Sequence, residues 1–389
     1  MPPFSRSLTT LLFLTWATFS TPLAAQQAAE RIISPDVQPD RSVVFRLSAP
    51  EADTVRLFGT WMTNMQETIE MTKNADGVFE APVGPLHSDM YEYFYIVSGV
   101  RILDPANGVV TRDGRFIENR LVVPGERADL YDVKDVPHGT LHTVWYPSPS
   151  IGMHRRMIVY TPPGYEKSGA SYPVLYLLHG GGGDEEAWIS RGRTNYVLDN
   201  LIASGKAVPM IVVITNGIPS VPAAPGDRPM FPETVTETRT PQAMTTGQFE
   251  TSLVRDIIPF VESNYRVVPD PEHRAIAGLS MGGYHTQKIT NANPGLFEYI
   301  GVMSMGLYDR FGNYDKEAHD AQLKALRDSN PRLYWIGTGK TDFLYEDITR
   351  LRALYDELEF PYTYRESEGG HTWNNWRLYL SEIAPLLFK

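Results

Sequence analysis

Cysteine is absent from all 389 residues. That excludes disulfides, thiolate metal sites, iron–sulfur clusters and a cysteine nucleophile. Basic residues are outnumbered: 35 Lys and Arg face 46 Asp and Glu, for a formal net charge of −11. With that balance and no basic stripe, the chain is a poor match for a nucleic-acid backbone. Internal repeats and low-complexity tracts are missing too. Hydrophobic residues make up 42% and aromatics 11%, so the chain as a whole is not disordered and should bury a sizeable core. Its length suits two or three domains. Long apolar runs are equally scarce. The best candidate, residues 8–20, falls short of the ~20 apolar residues a spanning helix needs. It follows a short start bearing Arg6 and precedes Thr21-Pro22-Leu23-Ala24-Ala25. This order predicts a secretory signal over residues 1–25, with cleavage near Ala25. The expected product is secreted or periplasmic, with no membrane segment after cleavage, and its stability must come from core packing.

Two patterns follow. Val43, Phe45 and Leu47 alternate with polar neighbours, as do Val55 with Leu57 and Tyr91, Tyr93 with Tyr95. Turn signals recur at Asn74-Ala75-Asp76-Gly77, Ser98-Gly99 and Arg112-Asp113-Gly114. Alternation of period two between turns, without an amphipathic helix, predicts an all-β, immunoglobulin-like sandwich over residues 26–125. Residues 123–144 read as the link to a second domain, 126–389. There, short apolar runs at 157–160, 174–179, 210–215, 273–278, 299–304 and 333–338 alternate with helical stretches at 195–203, 249–263, 318–329, 347–358 and 376–387. Strand alternating with helix predicts an α/β fold, a three-layer sandwich around a parallel sheet. Residues 219–246 interrupt that rhythm with many prolines, and an insert of that kind is expected to serve as a functional lid.

The strongest chemical signal is Gly278-Leu279-Ser280-Met281-Gly282-Gly283, between an apolar strand and a helix. Gly-x-Ser-x-Gly in that context is a nucleophile elbow, whose tight turn exposes the serine hydroxyl at the end of a sheet. Serine needs a base to take its proton and an acid to orient the base, here in the order serine, acid, histidine. Of the histidines beyond the elbow helix, His371 lies in a glycine-rich loop before the last helix and is preferred. His319 is expected on a solvent-facing helix. Asp342, just past a strand, is preferred as the acid over Asp309. The oxyanion of acyl transfer needs preorganised donors. His179-Gly180-Gly181-Gly182-Gly183 follows a strand and can offer bare N–H groups from Gly180 and Gly181, with Met281 as the second donor. His179 is expected to hold that loop, and Asp184-Glu185-Glu186 reads as a solvated helix start rather than a calcium site. Gly337-Thr338-Gly339-Lys340-Thr341 imitates the tail of a phosphate-binding loop, but Tyr334 stands where the first glycine belongs.

Thr161-Pro162-Pro163-Gly164-Tyr165, Tyr176-Leu177-Leu178-His179-Gly180, the elbow, and Gly370-His371-Thr372-Trp373 together resemble the esterase D-like α/β-hydrolases. Within these they are similar to carbohydrate esterase family 1, which contains feruloyl esterases and acetyl xylan esterases. Trp188 through Asn195, Leu198-Asp199-Asn200-Leu201 and Pro209-Met210-Ile211-Val212-Val213 add to the likeness, which covers about residue 141 to the end. It implies an α/β-hydrolase with Ser280, Asp342 and His371 as triad and no metal or diffusible cofactor. Its substrate would be a plant cell-wall polysaccharide ester, with ferulate or acetate as acyl group. Trp61, Gly77-Val78-Phe79, Gly84-Pro85-Leu86, Tyr91-Glu92-Tyr93 and Asp104-Pro105-Ala106-Asn107 resemble carbohydrate-binding modules of the glycogen-branching-enzyme type. Such a module could stack sugars on its aromatics or pack against the catalytic unit and shape its cleft. Trp373 and Trp376, with the insert, are expected on the substrate-facing wall, although either tryptophan would also suit the core of the last helix, and for Trp376 the core is the preferred place. A peptidase or acyltransferase using the same triad, and a non-catalytic polysaccharide-binding protein, remain as rival readings.

Overall fold

The computed structural model describes residues 32–62, 66–228, 246–309 and 314–389. The signal expected at 1–25 lies outside them, as does most of the insert expected at 219–246. No helix among the described residues is long and apolar enough to cross a membrane.

The front of the chain forms two antiparallel sheets. One has the order β1 (Asp36–Val37), β2 (Val43–Ser48), β6 (Val78–Val83), β5 (Thr72–Lys73). The other runs β4 (Ile69–Glu70), β3 (Val55–Gly59), β7 (Asp89–Val97), β10 (Phe116–Val123), β9 (Val110–Asp113), with β8 (Val100–Ile102) on β7. The alternating residues do what period two demands. Val43, Phe45, Leu47, Val55, Leu57, Tyr91, Tyr93 and Tyr95 all enter one core between the sheets. The tyrosines are therefore interior. Tyr93, Tyr95 and Ser34 hydroxyls converge on one Asp104 oxygen, at 2.9, 3.2 and 2.7 Å. Trp61 packs against the same core, its ring stacked on Phe45 at 5.3 Å.

A short helix α1 (Glu126–Asp129) leads to an eight-stranded sheet. Its order is β11 (Thr140–Ser148), β12 (Met153–Thr161), β14 (Ile211–Thr215), β13 (Val174–Leu178), β15 (Arg274–Leu279), β16 (Tyr299–Met303), β17 (Leu333–Gly339), β18 (Thr363–Ser367). From β14 to β18 the strands are parallel, while β11 and β12 run antiparallel at one edge. Helices α2 (Ala187–Ser190), α3 (Thr194–Ala203), α4 (Gln248–Ser252), α5 (Ile258–Asn264), α6 (Met281–Ala292), α7 (Lys316–Asp328), α8 (Tyr345–Glu357) and α9 (Trp373–Ile383) connect them. The fully apolar central strands bury side chains on both faces, which explains why they read as continuous runs. One face packs Val174, Tyr176, Ile276, Ile300 and Ile336 with α4 to α8. The other packs Leu175, Leu177, Ala275, Ala277 and Trp335 with α2, α3 and α9.

Strand order reverses at β13, whose neighbours are β14 on one side and β15 on the other. At such a switch point the loops leaving adjacent carboxyl ends diverge and open a crevice. Leu178 pairs with Gly278 across that junction, Leu279 with Met303, Met303 with Gly337, and Gly339 with Ser367. The residues just past these pairs are Gly180, Ser280, Ser304, Asp342 and His371. The register thus delivers the chemically important part of the sequence to one sheet edge.

Candidate active site

Ser280 follows the last residue of β15 and caps α6 at φ 51° and ψ −117°. A positive φ is costly for a residue with a side chain and persists only where the surroundings enforce it. Here the flanking glycines are the means. A Cβ on Gly278 would lie 2.3 Å from the Gly282 carbonyl, and one on Gly282 would lie 2.5 Å from the Leu178 oxygen. The backbone is held in place by Ser280 N–H donating to Met303 O at 2.8 Å and Tyr284 N–H to Ser280 O at 3.0 Å. Gly282→Ala is therefore expected to destabilise the protein by about 1–3 kcal/mol through overpacking and to misplace the hydroxyl. Urea unfolding together with esterase assay checks both effects.

His371 Nδ1 is 3.0 Å from each oxygen of Asp342. An ionised carboxylate only accepts, so Nδ1 carries the proton and Nε2 keeps its lone pair free to act as a base. Burial alone would raise the Asp342 carboxyl. Hydrogen bonding and charge from His371, helped by the Leu344 N–H and the Ser304 hydroxyl, outweigh it and hold the pKa below its ordinary value. The loops carrying the pair are pinned together, Lys340 N–H donating to Ser367 O at 2.9 Å and Thr341 N–H to Gly369 O at 3.0 Å. Ser304, at φ 49°, also accepts from Trp376 Nε1 at 2.9 Å. Trp376 stands edge-on to the His371 ring at 5.0 Å, and Phe343, 74% exposed, leans on it at 4.3 Å.

The glycine loop lies beside the elbow, since a Cβ on Gly180 would be 3.4 Å from Ser280 Cβ. Gly180 O accepts from Gly183 N–H at 3.2 Å and from His179 Nδ1 at 2.8 Å. His179 Nε2 in turn accepts from Gly217 N–H at 2.8 Å. With one ring nitrogen donating and the other accepting, His179 is a neutral fixture of the loop, and burial pushes its pKa down. Among the described residues the N–H groups of Gly180, Gly181 and Met281 donate to no protein acceptor. No hydrogen bond joins Ser280 Oγ to the His371 ring among the described residues. Catalytic bonds of unliganded enzymes are often long and tighten when substrate arrives.

Several expectations need correction. Trp373 is not an open wall: it is 5% exposed, wedged edge-on between Trp188 and Trp376, with its indole N–H given to Asp113 at 3.0 Å. Its place at the start of α9 turns it inward against the front sandwich. Trp376 is buried too, in the core of the last helix, the preferred place for it. His319 does not face solvent but is buried against Tyr308 and Tyr314, and burial pushes its pKa down to about 4. Asp309, the less favoured candidate acid, pairs with Arg350 and is not bonded to His371, so no correction falls on the choice of Asp342. Asp184 and Glu185 are buried rather than solvated, because Arg112 and Arg156 neutralise them. Phe343 and Ser304 are the site residues that pattern-reading missed. A large apolar residue straight after Asp342 was the available signal for Phe343, whereas nothing local singles out Ser304.

A mostly parallel sheet, an elbow at the switch point and an acid–histidine pair past later strands define an α/β-hydrolase. The chain belongs to the Putative esterase family, whose model matches residues 148–387. It is 31% identical over 352 residues to the endo-1,4-beta-xylanase/feruloyl esterase of Xylanibacter ruminicola, covering 89% of this chain and 44% of that protein. The chain thus spans less than half the length of this relative. Among solved structures it is similar to a ferulic acid esterase from Anaeromyces mucronatus, with TM-score 0.55 and 22% identity, covering 67% of this chain and 95% of the other. It is also similar to the enterobactin esterase of Shigella flexneri, with TM-score 0.64 and 17% identity over 89% of this chain and 94% of the other. At these identities the structural likeness speaks for the fold.

Proposed function

We propose that the protein is a serine carboxylic-ester hydrolase working through an acyl-enzyme. The observation that carries this reading is the Asp342–His371 pair at the carboxyl edge that also holds Ser280 in its strained elbow. In the proposed reaction His371 Nε2 removes the Ser280 proton as Oγ attacks the ester carbonyl, and returns it to the departing alcohol. Asp342 keeps the imidazole in the required tautomer and stabilises its charged form. The developing oxyanion is received by the N–H of Met281 and those of Gly180 and Gly181. His371 then deprotonates a water that releases the acid. No step uses a metal or diffusible cofactor.

For substrate we propose a hydroxycinnamate ester of a plant cell-wall polysaccharide such as arabinoxylan, cleaved by a secreted or periplasmic protein after removal of residues 1–25. Three units follow: the leader, a sandwich over 26–125, and the hydrolase over 126–389. The Xylanibacter relative, an endo-1,4-beta-xylanase/feruloyl esterase, supports the acyl group. So does Phe343, an exposed ring against His371 where an aromatic acyl chain could stack. Acetyl xylan is the alternative substrate. The wild type is expected to release ferulate from methyl ferulate with higher kcat/KM than acetate from acetylated xylan. Phe343→Ala should lower the ferulate value about two- to tenfold, the size of one aromatic contact, and lower acetate release by a smaller factor. Faster acetate release by the wild type would favour the alternative.

A further inference from the structure

The β9–β10 hairpin of the front sandwich lands on the glycine loop that follows β13. Gly114, at its tip, has φ +58°, and a Cβ there would be 1.9 Å from Gly182 O, so the two backbones touch with no room for a methyl group. Arg112 ties both sides: it donates to Gly114 O at 2.7 Å and to the two oxygens of Asp184 at 2.5 and 3.2 Å. Its own N–H donates to Ser190 Oγ at 2.7 Å. Asp113 lies between. One oxygen sits against Gly183, where a Cβ would be 2.6 Å away, and the other accepts the Trp373 indole N–H at 3.0 Å. Trp373 meets Trp376 edge-to-face at 5.2 Å, and Trp376 meets His371.

Glycine backbone is the least self-ordered, while oxyanion stabilisation depends on donors fixed before reaction. On its inner side the loop is fixed by His179. On its outer side the contacts come from the hairpin. We propose that Asp113 is a positioning residue for ester hydrolysis, holding the glycine loop on one side and, through Trp373 and Trp376, the wall behind His371 on the other. The sandwich is on this view a working part of the active site and not an appended module. This inference rests on the proposed roles of Ser280 and the glycine loop.

The test uses the full chain and 4-nitrophenyl acetate, whose small acyl group makes no demand on specificity. Asp113→Ala should lower kcat about tenfold or more, toward the loss seen on removing an oxyanion donor, with KM within about threefold because the loss falls on the transition state. Asp113→Asn keeps an oxygen that can accept the indole N–H, so it should restore kcat to within threefold. Trp373→Phe, which deletes that N–H and keeps a ring, should reproduce the kcat loss, and it carries the test if Asp113→Ala does not fold. A lower melting temperature with unchanged kcat in these variants would reduce Asp113 to docking glue and overturn the proposal. Ser280→Ala separates the two claims. If it stays active, the hydrolase reading fails; if it is dead while Asp113→Ala and Trp373→Phe keep full kcat, only the positioning role fails.

Discussion

Ser280→Ala is expected to lower kcat/KM by about 10⁴–10⁶, leaving the residual rate that binding and oxyanion donors supply without a nucleophile. The magnitude follows from the route. Without Oγ no acyl-enzyme forms, and water must attack the bound ester directly. The fold should survive, since the enforcing contacts are backbone ones: Ser280 N–H to Met303 O, Tyr284 N–H to Ser280 O, and the close approach of Gly278 to Gly282. Steady-state hydrolysis of methyl ferulate, beside urea melts of both proteins, measures the two quantities separately.

Asp342→Asn is expected to cost about 10³–10⁴ in kcat. The amide is nearly the same size but can turn an N–H toward His371 Nδ1, favouring the tautomer that points a proton at Ser280. The imidazolium formed during attack also loses its counter-charge. Stability should respond in a pH-dependent manner. The folded carboxyl has its pKa depressed, so its contribution is complete above the unfolded value of about 4 and disappears as pH falls through the folded one. The stability gap between wild type and Asp342→Asn should therefore be widest near neutrality and close in acid. Equal kcat for the two proteins would remove Asp342 from the mechanism.

Legibility in the sequence followed the strength of local constraint. The elbow could be read because sterics permit few residues beside Ser280, and Gly278 and Gly282 show why. The central strands could be read because burial on both faces leaves only apolar residues. The edge strands could not. β18 is Thr-Tyr-Arg-Glu-Ser, half solvated, and the first part of β11 fell within the segment read as a link. Among site residues, Asp342 and His371 were reachable because loop positions past strands are few. Trp373 was misread because its environment is made by a hairpin some 260 positions away in the chain, and no local pattern records such a meeting. The same holds for Asp184 and Glu185, which look like a solvated helix start until Arg112 and Arg156 arrive. His319 sat on the predicted helix, but its burial depends on Tyr308 and Tyr314 closing over it.

The most direct measurement is the mass of the intact protein, and of its peptides, after reaction with a fluorophosphonate. A single adduct on the peptide bearing Ser280 is predicted, absent from both Ser280→Ala and His371→Ala. An adduct on another side chain, or labelling that proceeds undiminished without the imidazole, would contradict the assignment.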